Sequence, residues 1–184
     1  MHPFVETNRL RLKILDESDA NLVLEYYVRN HDFLKPWEPL RQEGFLSLEI
    51  QAMSLKLDSM FMERGEMLRY WIFIKETDEL IGTIALSNII RGVFKSCYMG
   101  YKLSEAQIGK GYMTEAVQMI VKLAFDEMQL HRIEANIMPH NVGSIQVVKK
   151  NGFIQEGLSR KYLKINGNWE DHYRFALINE NLIE

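Results

Sequence analysis

The segment with the plainest chemical pattern is Gln107-Ile108-Gly109-Lys110-Gly111-Tyr112-Met113-Thr114. Its glycines let the main chain pass close to a ligand, and Met113, Ala116, Val117, Ile120, Val121, Ala124 and Met128 follow at amphipathic helical spacing. A helix opening here directs its free N–H groups and the positive end of its dipole back into the loop, which suits an anion. Lys110 adds mobile positive charge appropriate to a phosphate or pyrophosphate. Read as structure alone, the glycines would be turn residues of a strand-to-helix connection. No string in the chain has the P-loop spacing, and a dinucleotide fingerprint lacks its third Gly because Gly109-Lys110-Gly111-Tyr112-Met113 runs into Thr114.

Other reactive side chains each carry a functional and a structural reading. Glu134 could act as a base through a water, or it could face solvent or pair with Arg132. His172 beside Asp171 could orient an amine or join a hairpin salt bridge. Trp37, between Pro36 and Pro39, could wall an acceptor site or pin its loop to the core. Cys97 lies in a buried-looking strand with no nearby activating base, so it reads as a small core residue. The histidines, at 2, 31, 131, 140 and 172, show no metal-ligand spacing, and no metal is expected.

The elements that must position these groups follow from periodicity. Arg9 to Leu15 alternates as a strand, and Asp16 to Val28 reads as a helix capped by Asp16 or Ser18. Residues 30 to 45 read as an irregular loop of fixed shape. From Leu46 to Arg64 a helix carries two apolar stripes, Leu46-Ile50-Met53-Leu57-Met60 and Leu48-Ala52-Leu55-Met62. This predicts cover on two sides, by core packing or by a groove or subunit contact. Tyr70 to Lys75, Leu80 to Ser87 and Phe94 to Leu103 form an antiparallel meander that leads into the glycine loop. A strand through Ile133, Ala135 and Ile137 stops at Pro139, and Asn141 caps a helix that ends on Asn151-Gly152. Ile154 to Leu163 and Trp169 to Ile178 close the chain as a hairpin whose Asn166-Gly167 suits a type I′ turn.

At 184 residues and 47% hydrophobic content the chain fits one domain, 1–184, of α+β class with one mixed sheet. A net charge of −3 argues against direct nucleic-acid binding. No apolar run approaches a membrane span, Met1-His2-Pro3-Phe4-Val5-Glu6 lacks the pattern of a signal peptide, and a single cysteine suits a reducing cytoplasm.

Gly-Lys-Gly-Tyr-Met-Thr-Glu-Ala between two strands, then Asn141-Val142-Gly143-Ser144 and Asn151-Gly152-Phe153, resembles the GNAT acetyltransferase superfamily over nearly the whole chain. Asn8-Arg9-Leu10-Arg11-Leu12, Lys35-Pro36-Trp37 and Ile165-Asn166-Gly167-Asn168-Trp169-Glu170-Asp171-His172 resemble its RimJ/RimL group of ribosomal-protein alanine N-acetyltransferases. The resemblance implies a mostly antiparallel sheet splayed between its fourth and fifth main strands, with helices on both faces. It places acetyl-CoA in that opening, with the pyrophosphate on amides of Ile108, Gly109, Lys110, Gly111, Tyr112 and Met113 and with Thr114 close by. The pantetheine arm would pair with the main chain at Tyr101, Lys102 and Leu103 and meet Asn141. Ser144 would stand near the thioester as proton donor, or only satisfy the helix start, and Trp37, Tyr98 and His172 would face the acceptor. Three positions depart from the wider pattern: Ile108 and Met113 in the loop, and Val148 where a Tyr acid is common. Tyr98 also stands where a Glu is usual in the strand before the loop.

The implied reaction is direct attack of a neutral primary amine on the thioester in a ternary complex. Amino-terminal amines, with pKa about 7.7–8.0, are partly neutral near pH 7 and need no strong base, which favours the α-amine of a protein. The alternatives are a small-molecule amine such as a polyamine, an amino acid or an antibiotic, and a non-catalytic acetyl-CoA sensor. The family and the two-striped helix are both compatible with a homodimer.

Overall fold

The computed structural model describes residues 2–182, so residues 1, 183 and 184 of the expected 1–184 domain lie outside the described residues. Eight strands form one sheet: β1 (Phe4–Glu6), β2 (Leu10–Lys13), β3 (Leu68–Ile74), β4 (Leu80–Ile90), β5 (Ser96–Leu103), β6 (Arg132–Ile137), β7 (Ile154–Ile165) and β8 (Asn168–Ile178). Their order is β1-β2-β3-β4-β5-β6-β8-β7, and β5 with β6 is the parallel pair in an otherwise antiparallel sheet. Four helices accompany it: α1 (Ala20–Leu34), α2 (Leu48–Glu63), α3 (Tyr112–Lys122) and α4 (Val142–Lys150). This is the expected α+β architecture, with a short first strand that the sequence pattern does not reveal.

Strand alternation explains why helices cover both faces. In β3, Tyr70 and Ile72 enter a core with Ala116, Val117 and Ile120 of α3 and Val148 of α4. Trp71 and Phe73 enter a second core with Tyr26, Tyr27 and Leu55 of α1 and α2. A strand buried on both sides needs a nearly continuous apolar run, and Leu-Arg-Tyr-Trp-Ile-Phe-Ile supplies one.

Local signals set the element ends. Asp16 caps a short 3₁₀ turn over Glu17–Asp19 through a capping box, and α1 then runs to Leu34 instead of stopping near Val28. The polar stretch after Val28 stays helical because Asn30, buried, donates to the Tyr26 carbonyl (2.8 Å) and to Ser104 Oγ (3.1 Å). Its Oδ1 accepts the Glu105 N–H (3.2 Å), tying α1 to the segment that leads into the glycine loop. Helix α4 ends as a Schellman motif: Phe153 N–H reaches the Val148 carbonyl (3.1 Å), Gly152 N–H reaches that of Lys149 (3.1 Å), and Gly152 takes φ 82°. Asn166 (φ 42°) and Gly167 (φ 87°) make the expected type I′ turn.

One expectation is corrected in the single chain. Of the two α2 stripes, Leu55 and Met62 are buried, whereas Met53, Leu57 and Met60 are exposed, because the helix lies in the outer layer with a single face on the sheet.

β4 and β5 approach closely at the rim of the sheet. A Cβ on Gly82 would lie 2.5 Å from the Lys102 carbonyl oxygen and 3.2 Å from Leu103 Cδ1. Gly82→Ala should therefore force the strands apart at an overpacking cost of about 1–3 kcal/mol. Calorimetry should read this as a Tm lower by about 2–12 °C; an unchanged Tm would mean that the strands separate freely here.

Candidate active site

The site begins where the sheet comes apart. Pairing of β5 with β6 covers Ser96 with Arg132, Cys97 with Ile133 and Tyr98 with Glu134, and then stops. From Met99 to Leu103 the β6-facing main chain of β5 has no strand partner, although β4 continues to hold its other edge. This splay lies between the fourth and fifth of the strands recognised from sequence. Beside it opens a cleft of about 540 Å³, bounded by the end of β5, the glycine loop, the start of α4 and the end of α1 with Trp37.

The loop delivers donors to that cleft as its glycines require. Gly109 (φ 77°) and Gly111 (φ 81°) take conformations that other L-residues adopt with strain, and Gly111 immediately precedes the first turn of α3. A Cβ on Gly109 would meet nothing within 4 Å, so the space above it is open. Free amides at a helix start next to such a space form an anion cradle. Ile108, Gly109, Gly111, Tyr112, Met113 and Thr114 all line the cleft. Lys110 does not: its ammonium donates to Gln107 Oε1 (2.8 Å), and Gln107 in turn reaches Glu79 (3.3 Å).

Across the cleft, Asn141 caps α4 by accepting the Ser144 N–H (3.1 Å), which leaves the Asn141 amide nitrogen for a ligand. Ser144 Oγ donates to Tyr101 Oη (2.9 Å), and Tyr101 Oη donates to the Ser144 carbonyl (3.1 Å). Burial pushes the Tyr101 phenol up to about 12, against a smaller opposing effect of the Ser144 hydrogen bond, so it stays protonated across the physiological range. Tyr101 was expected to contribute main chain; its side chain and the hydroxyl it shares with Ser144 went unforeseen. Val148, at the position of the absent Tyr acid, is fully buried.

Tyr98, Glu134 and His172 gather on the opposite face of the sheet. Alternation places Cys97, Met99, Ile133, Ala135 and Phe175 toward α3 and α4, and thus these three away from them. Glu134 is buried and held by Arg132 (2.8 Å) and Arg174 (3.3 Å), one guanidinium on each carboxylate oxygen. His172 is buried, its Nδ1 on the Glu170 carbonyl (3.0 Å) and its ring 5.5 Å from that of Tyr162. Burial, followed by the nearby Tyr98, raises the Tyr162 phenol. Asn136 donates to Tyr162 Oη (3.2 Å). The expected residues thus fall into two groups, one on each side of the sheet, with the splay between them.

Trp37 stands at the mouth, its ring 5.4 Å from that of His140. The segment behind it is fastened to the last hairpin, where Asn166 N–H donates to the Glu38 carbonyl (2.8 Å). Glu38 also pairs with Lys102 and with Arg41 (2.8 Å). Burial raises the Glu38 carboxyl, and the two cations outweigh it and hold the group below its ordinary value. Phe33, Leu34 and His140 also line the cleft. The two apolar residues could have been found only by extending α1, and His140 by noticing that it follows Pro139 at the end of β6. Cys97 is buried with its thiol pushed up to about 12 by that burial, which suits a core residue. Among the described residues, no group of three or more His, Cys, Asp or Glu could hold a metal ion, and no helix is long and apolar enough to cross a membrane.

Comparison with known proteins agrees with this geometry. The sequence profile of the acetyltransferase (GNAT) domain matches residues 9–154. Bacillus subtilis YjcK, described as a probable N-acetyltransferase, is 42% identical over 165 residues, 90% of this chain and 91% of its own length. The Escherichia coli [ribosomal protein uS5]-alanine N-acetyltransferase is 36% identical over 171 residues, 93% of this chain and 88% of its own. The crystal structure of the ribosomal-protein-S5-alanine acetyltransferase from Vibrio fischeri superposes with a TM-score of 0.92 at 33% identity, covering 98% of this chain and 99% of that one. Mycobacterium smegmatis RimJ in complex with CoA-disulfide gives 0.88 at 28% identity, covering 95% and 84%.

The open space over Gly109 allows a charge test of the cradle. Asn and Asp tolerate positive φ alike and differ by one negative charge. We expect Gly109→Asn to weaken CoA binding modestly and Gly109→Asp to weaken it at least about tenfold further, by calorimetric titration. Equal affinities for the two variants would remove the anion from this loop.

Proposed function

Because this chain belongs to the GNAT acetyltransferase family, its acyl donor is acetyl-CoA, and we propose that its acceptor is the N-terminal α-amine of a protein, of the ribosomal-protein-alanine type. The similarity to the uS5-alanine enzyme, 36% identical across 93% of the chain, carries this reading. The engagement of the buried carboxylate beside the splay is consistent with it. Among the described residues Glu134 is the one buried carboxylate, and both its oxygens are engaged by arginines. With Glu134 engaged, an acceptor whose neutral amine is already populated suits the site, as α-amines (pKa about 7.7–8.0) are near pH 7 and lysine side chains (about 10.4) are not.

The residues divide the work by face. The loop at 108–113 and the Asn141 amide bind and orient acetyl-CoA, whose thioester supplies the activated acyl group. The acceptor approaches past Trp37, Tyr98 and His172, from the other side of the splay. Ser144 gives its proton to the departing sulfur once its O–H turns from Tyr101, and Tyr101, which burial keeps protonated, then donates a hydrogen bond to the Ser144 oxygen, which regains its proton from water. Water takes the proton released by the amine. Glu134 keeps Arg132 and Arg174 in register, which fixes β6 and β8 at the acceptor face.

Mass spectrometry should show acetyl transfer to a peptide with free N-terminal alanine and none to its N-blocked twin carrying an internal lysine. Transfer to spermidine alone would replace the acceptor with a small amine. kcat/KM for the peptide should rise with pH and level off above about 8, following the α-amine; a rise continuing toward about 10.4 would indicate a lysine-type acceptor. Ser144→Ala should lower kcat on the order of 10²-fold with little change in CoA affinity. Since Ser144 and Tyr101 act through one hydrogen bond, Ser144→Ala/Tyr101→Phe should cost little more than Ser144→Ala alone. Fully multiplicative losses would separate the two residues.

A further inference from the structure

The glycine loop is held from behind by the start of the chain. Arg9, which precedes β2, donates from Nη1 to the Lys110 carbonyl (3.0 Å) and from Nε to Glu115 Oε2 (2.7 Å). Its main-chain N–H donates to Glu115 Oε1 (2.9 Å), as does the Thr7 hydroxyl (2.5 Å). The guanidinium lies 4.5 Å from the centroid of the Tyr112 ring, and its Nη2 would be 3.5 Å from a Cβ on Gly111. One side chain therefore touches Lys110 and Tyr112, on either side of Gly111, and Glu115 in the first turn of α3. Arg9 is not among the residues that line the cleft, so it acts from the outer side.

Two consequences follow from elementary geometry and charge. All peptides of the described chain are trans, so the carbonyl of Lys110 and the N–H of Gly111 point in opposite directions from one peptide plane. Drawing the carbonyl toward Arg9 turns the N–H away from Arg9, toward the cleft that Gly111 lines. Separately, Glu115 sits in the first turn of α3 with its side chain only 18% exposed, where its charge opposes any anion at the helix start. Burial raises its carboxyl, but the hydrogen bonds from Thr7 and Arg9 outweigh that and hold it below its ordinary value. The group is thus ionised, and Arg9 is the cation that compensates it.

We propose that Arg9 is a positioning residue for acetyl-CoA. It aims the Gly111 N–H at the pyrophosphate and screens that anion from the Glu115 carboxylate. The proposal rests on the reading that residues 108–113 hold the pyrophosphate.

The test is calorimetric titration of CoA into the full-length protein and the variants Arg9→Ala, Arg9→Lys, Glu115→Gln and Arg9→Ala/Glu115→Gln, with Tm recorded for each. Arg9→Ala should weaken binding by about tenfold or more, the scale of one lost charge-assisted hydrogen bond plus an exposed like charge. Arg9→Lys should lose about threefold or more, since an ammonium cannot fork between the Lys110 carbonyl and Glu115. Arg9→Ala/Glu115→Gln should bind CoA more tightly than Arg9→Ala, because the unscreened carboxylate is gone. In turnover the loss should fall on the acetyl-CoA KM more than on kcat, and a loss confined to kcat would overturn the proposal. A lower Tm with unchanged CoA affinity in the folded variants would make Arg9 merely structural and overturn the proposal. A double variant no tighter than Arg9→Ala would overturn it as well. If Arg9→Ala fails to fold, Arg9→Lys and Glu115→Gln carry the comparison, with Arg9→Lys again required to weaken binding and a wild-type affinity overturning the proposal. The Gly109→Asp and Gly109→Asn pair keeps the two readings apart: equal affinities there fail the loop, whereas a loss confined to Asp with no effect at Arg9 fails this inference alone.

Discussion

Pairing between β5 and β6 ends at Tyr98 and Glu134, and the edge that remains unpaired beyond them is the feature on which the rest of the molecule depends. Main-chain groups left without partners in a buried setting cost about 1–3 kcal/mol each. Here they border a cleft, where water or a ligand can meet them. The sheet tolerates the break because each separating strand keeps a full antiparallel neighbour on its far side, β4 for β5 and β8 for β6. Parallel strands also require a crossover, and the helix that makes it, α3, places its N-terminus at the open end of the splay. A strand edge and a helix start are thus brought together by one topological choice, and both present N–H groups to the same space.

The opening also connects the two faces of the sheet. Ser144 and Tyr101 belong to the face carrying α3 and α4, whereas Tyr98, Glu134 and His172 belong to the other. An intact strand pair would wall these groups apart. With the pairing interrupted, groups of the two faces border one opening, which under the proposed function would let a donor held on one side meet an acceptor admitted on the other. The link from Asn166 to Glu38 ties the last hairpin to the loop before α2.

Much of this was legible in the residues because its signals are local. The glycine loop, the Asn141 cap, the Asn166-Gly167 turn and the amphipathic face of α3 each sit within one short window. What could not be read is long-range. Arg9 and Glu115 are 106 positions apart and Tyr101 and Ser144 are 43 apart. No periodicity links such pairs; only the strand order and the register do. The end of α1 was hidden for a related reason. Arg29-Asn30-His31-Asp32 has the composition of a loop, and it stays helical because Asn30 finds partners on the far side of the sequence, at Ser104 and Glu105. The loop lysine shows the converse: Lys110 has the residue type and position of an anion ligand, yet Gln107 and the chain from Glu79 draw its ammonium aside.

That displacement bears on how the proposed loop site would hold an anion. If a mobile ammonium supplied the attraction, glycines on either side would be incidental, and the loop could tolerate several backbone paths. With Lys110 turned toward Gln107, recognition there would fall to main-chain N–H groups, whose directions are fixed only if the peptide planes are fixed. Two glycines at positive φ allow the path but do not hold it, since glycine has the broadest choice of conformations of any residue. Some other part of the molecule must therefore restrain the loop, and the contacts to Lys110, Tyr112 and Glu115 come from Arg9. Arg9, in the short connection between β1 and β2, would thus be the group that makes a flexible loop into a preorganised one.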